Sequence, residues 1–268
     1  MTKLKKIILC ADDFGLSPGI CEGLLKLVRM QRLSALSCMV NTSGFESYSQ
    51  ELLSLAPQVQ IGLHFNLTEG SFLSQLDKPC FSLSELLLKT HLRSLTLSLI
   101  EQEFIAQLDR FIQLMGKWPD FIDGHQHVHQ FPLIRTIVMK IYEQRLRPHS
   151  VFVRSTYPLI SLPSYDWKGR VLAYTGGKAL KNALIKHNIA HNDYFAGVYD
   201  FSPSANYPAL FKQWLNLAPS NTLIMCHPGE GIETNDAIAP ARLIEMAYFS
   251  SEQFLEDCTY SEVLIKEK

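Results

Sequence analysis

Along the chain, short apolar runs alternate with stretches whose apolar residues recur at helical spacing. Lys5–Ala11 is an apolar run of buried-strand type. Ser17-Pro18 then supplies a helix cap followed by a proline suited to the first turn. Gly19–Arg32 reads as helix, Ala35–Val40 as strand, Glu46–Ala56 as a helix stopped by Pro57, and Val59–Leu67 as a third strand. Residues 69–84 read as loop. From Leu97 to Met115 the stripe Ile100, Phe104, Leu108, Phe111 and Met115 predicts an amphipathic helix ended by Gly116. Phe121-Ile122 is a brief strand, Pro132–Arg145 a helix and Ser150–Val153 a strand. Residues 155–175, with Pro158, Pro163 and several aromatics, read as an irregular, substrate-facing loop. Beyond it come Gly176–His187 (helix), Tyr194–Val198 (strand), Pro208–Leu217 (helix), Thr222–Cys226 (strand) and the helices Pro240–Phe249 and Glu252–Cys258.

About seven strand–helix units predict a parallel sheet closed, or nearly closed, into a barrel. No repeat, low-complexity tract or linker divides the chain, so one domain over residues 1–268 is expected. Composition agrees: hydrophobic residues make up 47% and charged ones 19%, enough apolar side chains for a sizeable core. The net charge of −1 leaves no basic excess for phosphates, so nucleic acid is not an expected partner. No run approaches the ~18 apolar residues of a membrane span. Six scattered cysteines, with no CxxC pair and no signal peptide, read as reduced thiols of a cytoplasmic protein.

The candidate chemistry is concentrated at the strand ends. These carry Asp12-Asp13, His64, Asp123-Gly-His125-Gln-His127-Val-His129, Arg154 and His227-Pro-Gly-Glu230. In parallel α/β folds the C-terminal ends converge on one face, so five of them would bring titratable groups into one pocket. Neighbours in extended chain point to opposite sides, which suits Asp12 and Asp13 to different tasks, one ligating and one facing substrate. The same Asp-Asp-Phe-Gly stretch also suits a simple turn. Residues 123, 125, 127 and 129 share parity, so an extended segment would put one carboxylate and three imidazoles on one side. Their spacing of ~6.6 Å lets one ion take one or two of them, and position alone does not choose which. His64 alone equally suits a hydrogen-bonded core histidine. A ligand set of carboxylate and imidazoles without thiolate suits Zn, Mn, Co or Ni, and less comfortably Mg. No G-x-G-x-x-G, Walker A, G-x-S-x-G or H-E-x-x-H motif is present.

Ala11-Asp-Asp-Phe-Gly-Leu-Ser17, Gly62-Leu-His-Phe-Asn-Leu-Thr68, Asp123-Gly-His-Gln-His-Val-His129-Gln-Phe-Pro132 and His227-Pro-Gly229 occur in this order along nearly the whole chain. Together they resemble the YdjC-like (ChbG/HpnK) carbohydrate deacetylases, relatives of the polysaccharide deacetylases. The resemblance implies an α/β fold, a single-domain irregular, TIM-like (β/α) barrel. It implies removal of an acetyl group from an N-acetylated sugar, a chitooligosaccharide or another N-acetylglucosamine-bearing glycan or glycolipid. It further implies one divalent metal ion held by Asp13, His64 and His125, with Asp12 as base, His227 as an imidazolium acid, and Arg154 orienting the base. Homodimers occur in the family. Substrate contacts are expected from His127, His129, Asn41 and Trp167, with Tyr157, Tyr165 and Tyr174 as further stacking candidates. Two other readings compete: a barrel metallohydrolase acting on a different amide or a phosphate ester, which predicts a second metal, and a catalytically silent sugar-binding barrel.

Overall fold

A computed structural model describes residues 4–231 and 236–265. Among the described residues eight strands are interspersed with helices: β1 (Lys5–Phe14), α1 (Pro18–Arg29), β2 (Ala35–Cys38), α2 (Ser43–Ser54), β3 (Gln60–Phe65), α3 (Leu83–His91), α4 (Leu97–Met115) and β4 (Phe121–Gly124). Then come α5 (Ile134–Ile141), β5 (Phe152–Val153), α6 (Asp166–Leu172), α7 (Lys178–Lys186), β6 (Tyr194–Ala196), α8 (Tyr207–Leu217), β7 (Thr222–Cys226), α9 (Ala239–Ser250), α10 (Glu252–Tyr260) and β8 (Val263–Ile265).

All pairings between named strands are parallel, in the order β5-β4-β3-β2-β1-β7-β6, with β8 pairing the first residues of β1. The sheet curls into an irregular barrel whose seam lies between β5 and β6. Among the described residues no strand ladder closes that seam. Val153 N–H donates to the Ala190 carbonyl at 2.9 Å, and Asn192 bonds both the N–H and the carbonyl of Ser155 at 2.8 Å. The expected barrel is therefore present, closed on one side by a buried side-chain amide.

Strand alternation sorts the side chains. Ile7, Leu9 and Ala11 of β1 join the large core beneath the helices. Ile8 and Cys10 instead meet Ala35, Phe121, Phe195, Leu223 and Met225 in a second apolar cluster inside the barrel. Continuing that inner row by two residues reaches Asp12, and continuing the row Leu223, Met225 reaches His227. The barrel is thus apolar at its base and charged at its mouth.

Three expectations change. Residues 155–175 are not wholly irregular: Pro163–Tyr165 forms a 3-10 turn that leads into α6. Helix α3 begins inside the stretch read as loop to residue 84; its cap is Ser82, whose side chain accepts from Glu85 N–H. Strand β8 comes after the last predicted helix. The ends of the expected 1–268 domain, residues 1–3 and 266–268, lie outside the described residues.

Candidate active site

At the barrel mouth a cavity of about 670 Å³ is lined by Asp12, Asp13, His64, His125, His127 and His227. Asp12 continues the inner row of β1, and Arg154 rises from the end of β5 to meet it. Arg154 Nη1 and Nη2 each donate to one Asp12 carboxylate oxygen at 2.6 Å, and the guanidinium also pairs with Asp123 Oδ2 at 2.6 Å. Burial pushes the Asp12 pKa up, but the Arg154 charge and its two hydrogen bonds outweigh this and hold it well below the usual carboxylate range.

Asp13 leaves the strand geometry. Its φ is 69°, at the irregularity where β1 slips register against β2 between Ala11 and Phe14. That twist turns Asp13 away from Asp12 and toward two imidazoles. Its Oδ1 lies 2.9 Å from His125 Nδ1 and 3.4 Å from His64 Nε2, while Oδ2 accepts from Arg242 Nη2 at 2.7 Å. Burial raises the Asp13 pKa, and Arg242 and His125 together bring it well below the ordinary value.

His64 is fixed from behind. Asp123 Oδ1 sits 2.6 Å from its Nδ1, and Ser37 Oγ donates to the same carboxylate oxygen at 2.5 Å. A carboxylate behind Nδ1 selects the tautomer with hydrogen there and leaves Nε2 for the Asp13 side, a common support of metal-ligating histidine. Ligand atoms of Asp13, His64 and His125 all lie within 4.8 Å of one another and are buried. His125 Nε2 has no hydrogen-bond partner. Around this group the carboxylates of Asp12, Asp13, Asp123 and Asp236 face two guanidinium groups, Arg154 and Arg242. With neutral imidazoles these six groups carry a formal −2, and Glu69 at the cavity and Glu245 behind His227 add further carboxylates, so the site has an excess of negative charge that favours a cation. Donor set, geometry and charge all fit such an ion. A second candidate group, Cys10, Asp12 and Asp123, is filled by Arg154, whose Nη2 also donates to Cys10 Sγ at 2.9 Å.

The expected side-by-side arrangement of residues 123–129 does not form. After Gly124 the chain turns into a 3-10 segment, His125–Gln130, in which Gln126 (φ 49°) and His127 (φ 61°) are left-handed. Ring directions therefore diverge: His125 meets Asp13, His127 lines the cavity edge-on to Phe195, and His129 Nε2 lies 3.1 Å from the Arg154 carbonyl oxygen. His129 is buried outside the cavity lining and makes no substrate-facing surface. Asn41 is also elsewhere. Its Nδ2 donates to the carbonyls of Glu69 and Ser71, and its Oδ1 accepts from Asn66, so it braces the loop that carries Glu69. Trp167 does line the cavity, with Lys168 and Val171 of the same helix. Tyr157, Tyr165 and Tyr174 do not; Tyr174 is 86% exposed.

His227 stands at the end of β7 with Phe201 edge-on at 5.1 Å. Burial pulls its pKa down to about 4, against the pull of Asp13 and Asp12, so the ring is neutral near pH 7. Desolvation of the cation here exceeds the attraction of carboxylates already engaged by arginine, so a His227 that serves as the imidazolium acid has to take up its proton during turnover. Arg242, Asp236, Glu245 and Tyr199 join the site beyond the residues expected from sequence. The signal for two of them is present, because Arg242 and Glu245 are charges one turn apart in the otherwise apolar Ala239–Phe249 stretch.

Residues 6–260 match the family model described as YdjC-like protein, and the chain belongs to that family. Among curated relatives it is 36% identical over 147 residues to a chitooligosaccharide deacetylase of Proteus mirabilis, covering 53% of this chain and 57% of that protein. It is 38% identical over 142 residues to a carbohydrate deacetylase of Brevibacillus brevis, covering 52% and 56%. The alignments thus span about half the length of these relatives. Among solved structures, an Enterococcus faecalis protein provisionally described as a cellobiose-phosphate cleavage protein superposes with a TM-score of 0.76 at 18% identity, over 98% of this chain and 97% of that one. That likeness is one of fold.

Proposed function

We propose that this protein is a divalent-metal-dependent hydrolase that removes the acetyl group from an N-acetylated sugar. The observation that carries the reading is one cavity floor with two distinct carboxylates: Asp12, gripped by Arg154, and Asp13, facing His64 and His125. The names of the curated relatives support the same reaction class. An ion held by Asp13, His64 and His125 would supply a Lewis acid and acidify a nearby water.

The residues then divide the remaining work. Arg154 occupies one lone pair on each Asp12 oxygen and leaves others for a proton, so Asp12 stays ionised and accepts the proton of the attacking water. Arg154 keeps that carboxylate aimed. His227, neutral in the resting site, takes over the water proton from Asp12, which returns to its carboxylate, and delivers that proton to the departing nitrogen as the C–N bond breaks, yielding acetate and the amino sugar. Trp167 offers a face for a sugar ring, and His127 a neutral polar group at the cavity wall. The phosphate-ester alternative loses its second metal position to the Arg154 guanidinium. Six unpaired cysteines support a reducing, cytoplasmic setting. Among the described residues no helix is long and apolar enough to cross a membrane.

The test is acetate release from N,N′-diacetylchitobiose by metal-stripped protein refilled with Zn²⁺, Co²⁺, Ni²⁺, Mn²⁺ or Mg²⁺. Metal-dependent release that is lost in Asp12→Asn is expected. Release that is indifferent to metal, or that survives in Asp12→Asn at the wild-type rate, refutes the assignment.

A further inference from the structure

The buried face of α9 carries two charged side chains, Arg242 at 3% and Glu245 at 0% exposure. Burying charges is costly unless they are paired and hydrogen-bonded, so their partners show what the helix holds in place. Both reach the same residue. Glu245 Oε2 accepts from the backbone N–H of His227 at 2.5 Å, and Oε1 accepts from the Tyr199 hydroxyl at 2.6 Å. Arg242 Nη1 donates to the His227 carbonyl at 3.4 Å, Nη2 to Asp13 Oδ2 at 2.7 Å, and Nε to Asp236 Oδ2 at 2.5 Å.

The residues that follow His227 are held by α1, where Glu230 N–H donates to the Gly19 carbonyl at 2.9 Å. A Cβ at Gly19 would stand 1.9 Å from the Glu230 carbonyl oxygen, so glycine lets residues 229–231 lie directly on that helix. The His227 ring itself lacks such support: its buried Nδ1 has no hydrogen-bond partner, and Phe201 touches it only edge-on. A proton carrier needs a fixed direction, and here the direction comes through the peptide on either side of the ring.

We propose that Arg242 and Glu245 form a clamp that sets His227 against Asp13, making both positioning residues for the proton transfer to the leaving amine. The reaction they serve rests on the deacetylase reading above. Their contributions are separable, because Arg242 also holds one oxygen of Asp13 whereas the hydrogen bonds of Glu245 go to His227 N–H and the Tyr199 hydroxyl.

The experiment compares wild type, Glu245→Gln and Arg242→Gln by Co²⁺ titration calorimetry, steady-state acetate release from N,N′-diacetylchitobiose, and histidine-ring NMR. A misplacement of about 1 Å can cost on the order of a hundredfold in rate. Glu245→Gln is therefore expected to lose about tenfold or more in kcat, to keep KM and Co²⁺ affinity within about twofold, and to move the His227 resonances. Arg242→Gln is expected to change Co²⁺ affinity by at least about threefold as well, because Asp13 is freed to turn. A Glu245→Gln enzyme with wild-type kcat and unmoved His227 resonances overturns the clamp. Should that variant not fold, hydrogen exchange on wild type decides: the His227 amide is expected among the slowest, and free exchange overturns the proposal. If wild type releases no acetate with any metal, the deacetylase reading fails. The clamp then stands or falls on the His227 resonances and Co²⁺ affinities.

Discussion

Asp12 and Asp13 are adjacent in sequence and almost opposite in circumstance. One continues the inner row of β1 and is neutralised by Arg154; the other sits in left-handed backbone and faces imidazoles. Replacing Asp12 by Asn should thus leave Co²⁺ affinity nearly unchanged while kcat falls by about 10²–10⁴, the usual worth of a proton-transfer partner. A parallel loss of metal binding would instead mark Asp12 as a ligand. His64 carries the pH dependence. Burial lowers its pKa, but Asp123 and Asp12 raise it to about 10, so in the metal-free protein the ring is cationic at pH 7. Offering Nε2 to an ion means giving up that proton. Metal uptake should therefore release close to one proton between pH 6 and 8, with affinity falling about tenfold for each unit of acidification. Calorimetry in two buffers of different ionisation enthalpy measures this directly, and no proton release would show that His64 is not a ligand. Folding linkage has a matching sign. The raised His64 pKa stabilises the metal-free fold fully below about 6.5, and that contribution fades as pH rises toward 10.

At the scale of elements, the sequence is most legible where periodicity is long or chemistry sits at a strand end. The stripe from Leu97 to Met115 predicts α4 with both ends correct, because nineteen residues give a 3.6-residue period room to declare itself. The strand ends point to a common pocket for Asp12, Asp13, His64, His125 and His227, since parallel topology leaves their side chains few other places to go. Short elements are harder. Helix α6 has seven residues between a proline turn and a wide turn, too few for a period, yet it brings Trp167, Lys168 and Val171 to the cavity. Helix α3 carries a readable signal in Ser82…Glu85, and its Leu83 and Leu87 form part of the cavity wall. The left-handed pair Gln126–His127 cannot be read from side-chain parity, which presumes extended backbone. The barrel seam is likewise hidden, because it depends on Asn192 and one backbone bond, Val153 N–H to the Ala190 carbonyl, rather than on a strand ladder. Asn192 is 1% exposed and bonds Ser155 N–H, Ser155 carbonyl and Tyr194 carbonyl. Asn192→Ala strands those groups in a buried place, so urea unfolding should show a loss of about 1–3 kcal/mol. A variant as stable as wild type would mean that water replaces the amide and the seam is wet.

For the molecule as a whole, the curled parallel sheet gathers charge at one end of an apolar barrel. Four carboxylates and two guanidinium groups cannot sit together there at low cost while two negative charges remain unbalanced. In the metal-free protein the His64 proton offsets part of the excess, and a bound divalent ion would offset more of it. Under the proposed function, an ion bound at this site would stabilise the native state by linkage. At a free concentration about a hundred times Kd the gain is about 2.7 kcal/mol, a rise in Tm of roughly 5–10 °C for a chain of this size. Differential scanning calorimetry of stripped and Co²⁺-loaded protein reads it without any substrate. Asp12→Asn should keep the rise, whereas His125→Ala, which removes one of the three facing groups, should lose most of it together with acetate release. If His125→Ala keeps the full rise, the ion is held by another set of residues. A wild type with the same Tm in both states removes the metal from the barrel mouth altogether, and the paired charges of Asp12, Asp13, Arg154 and Arg242 would then have to be explained as structure alone.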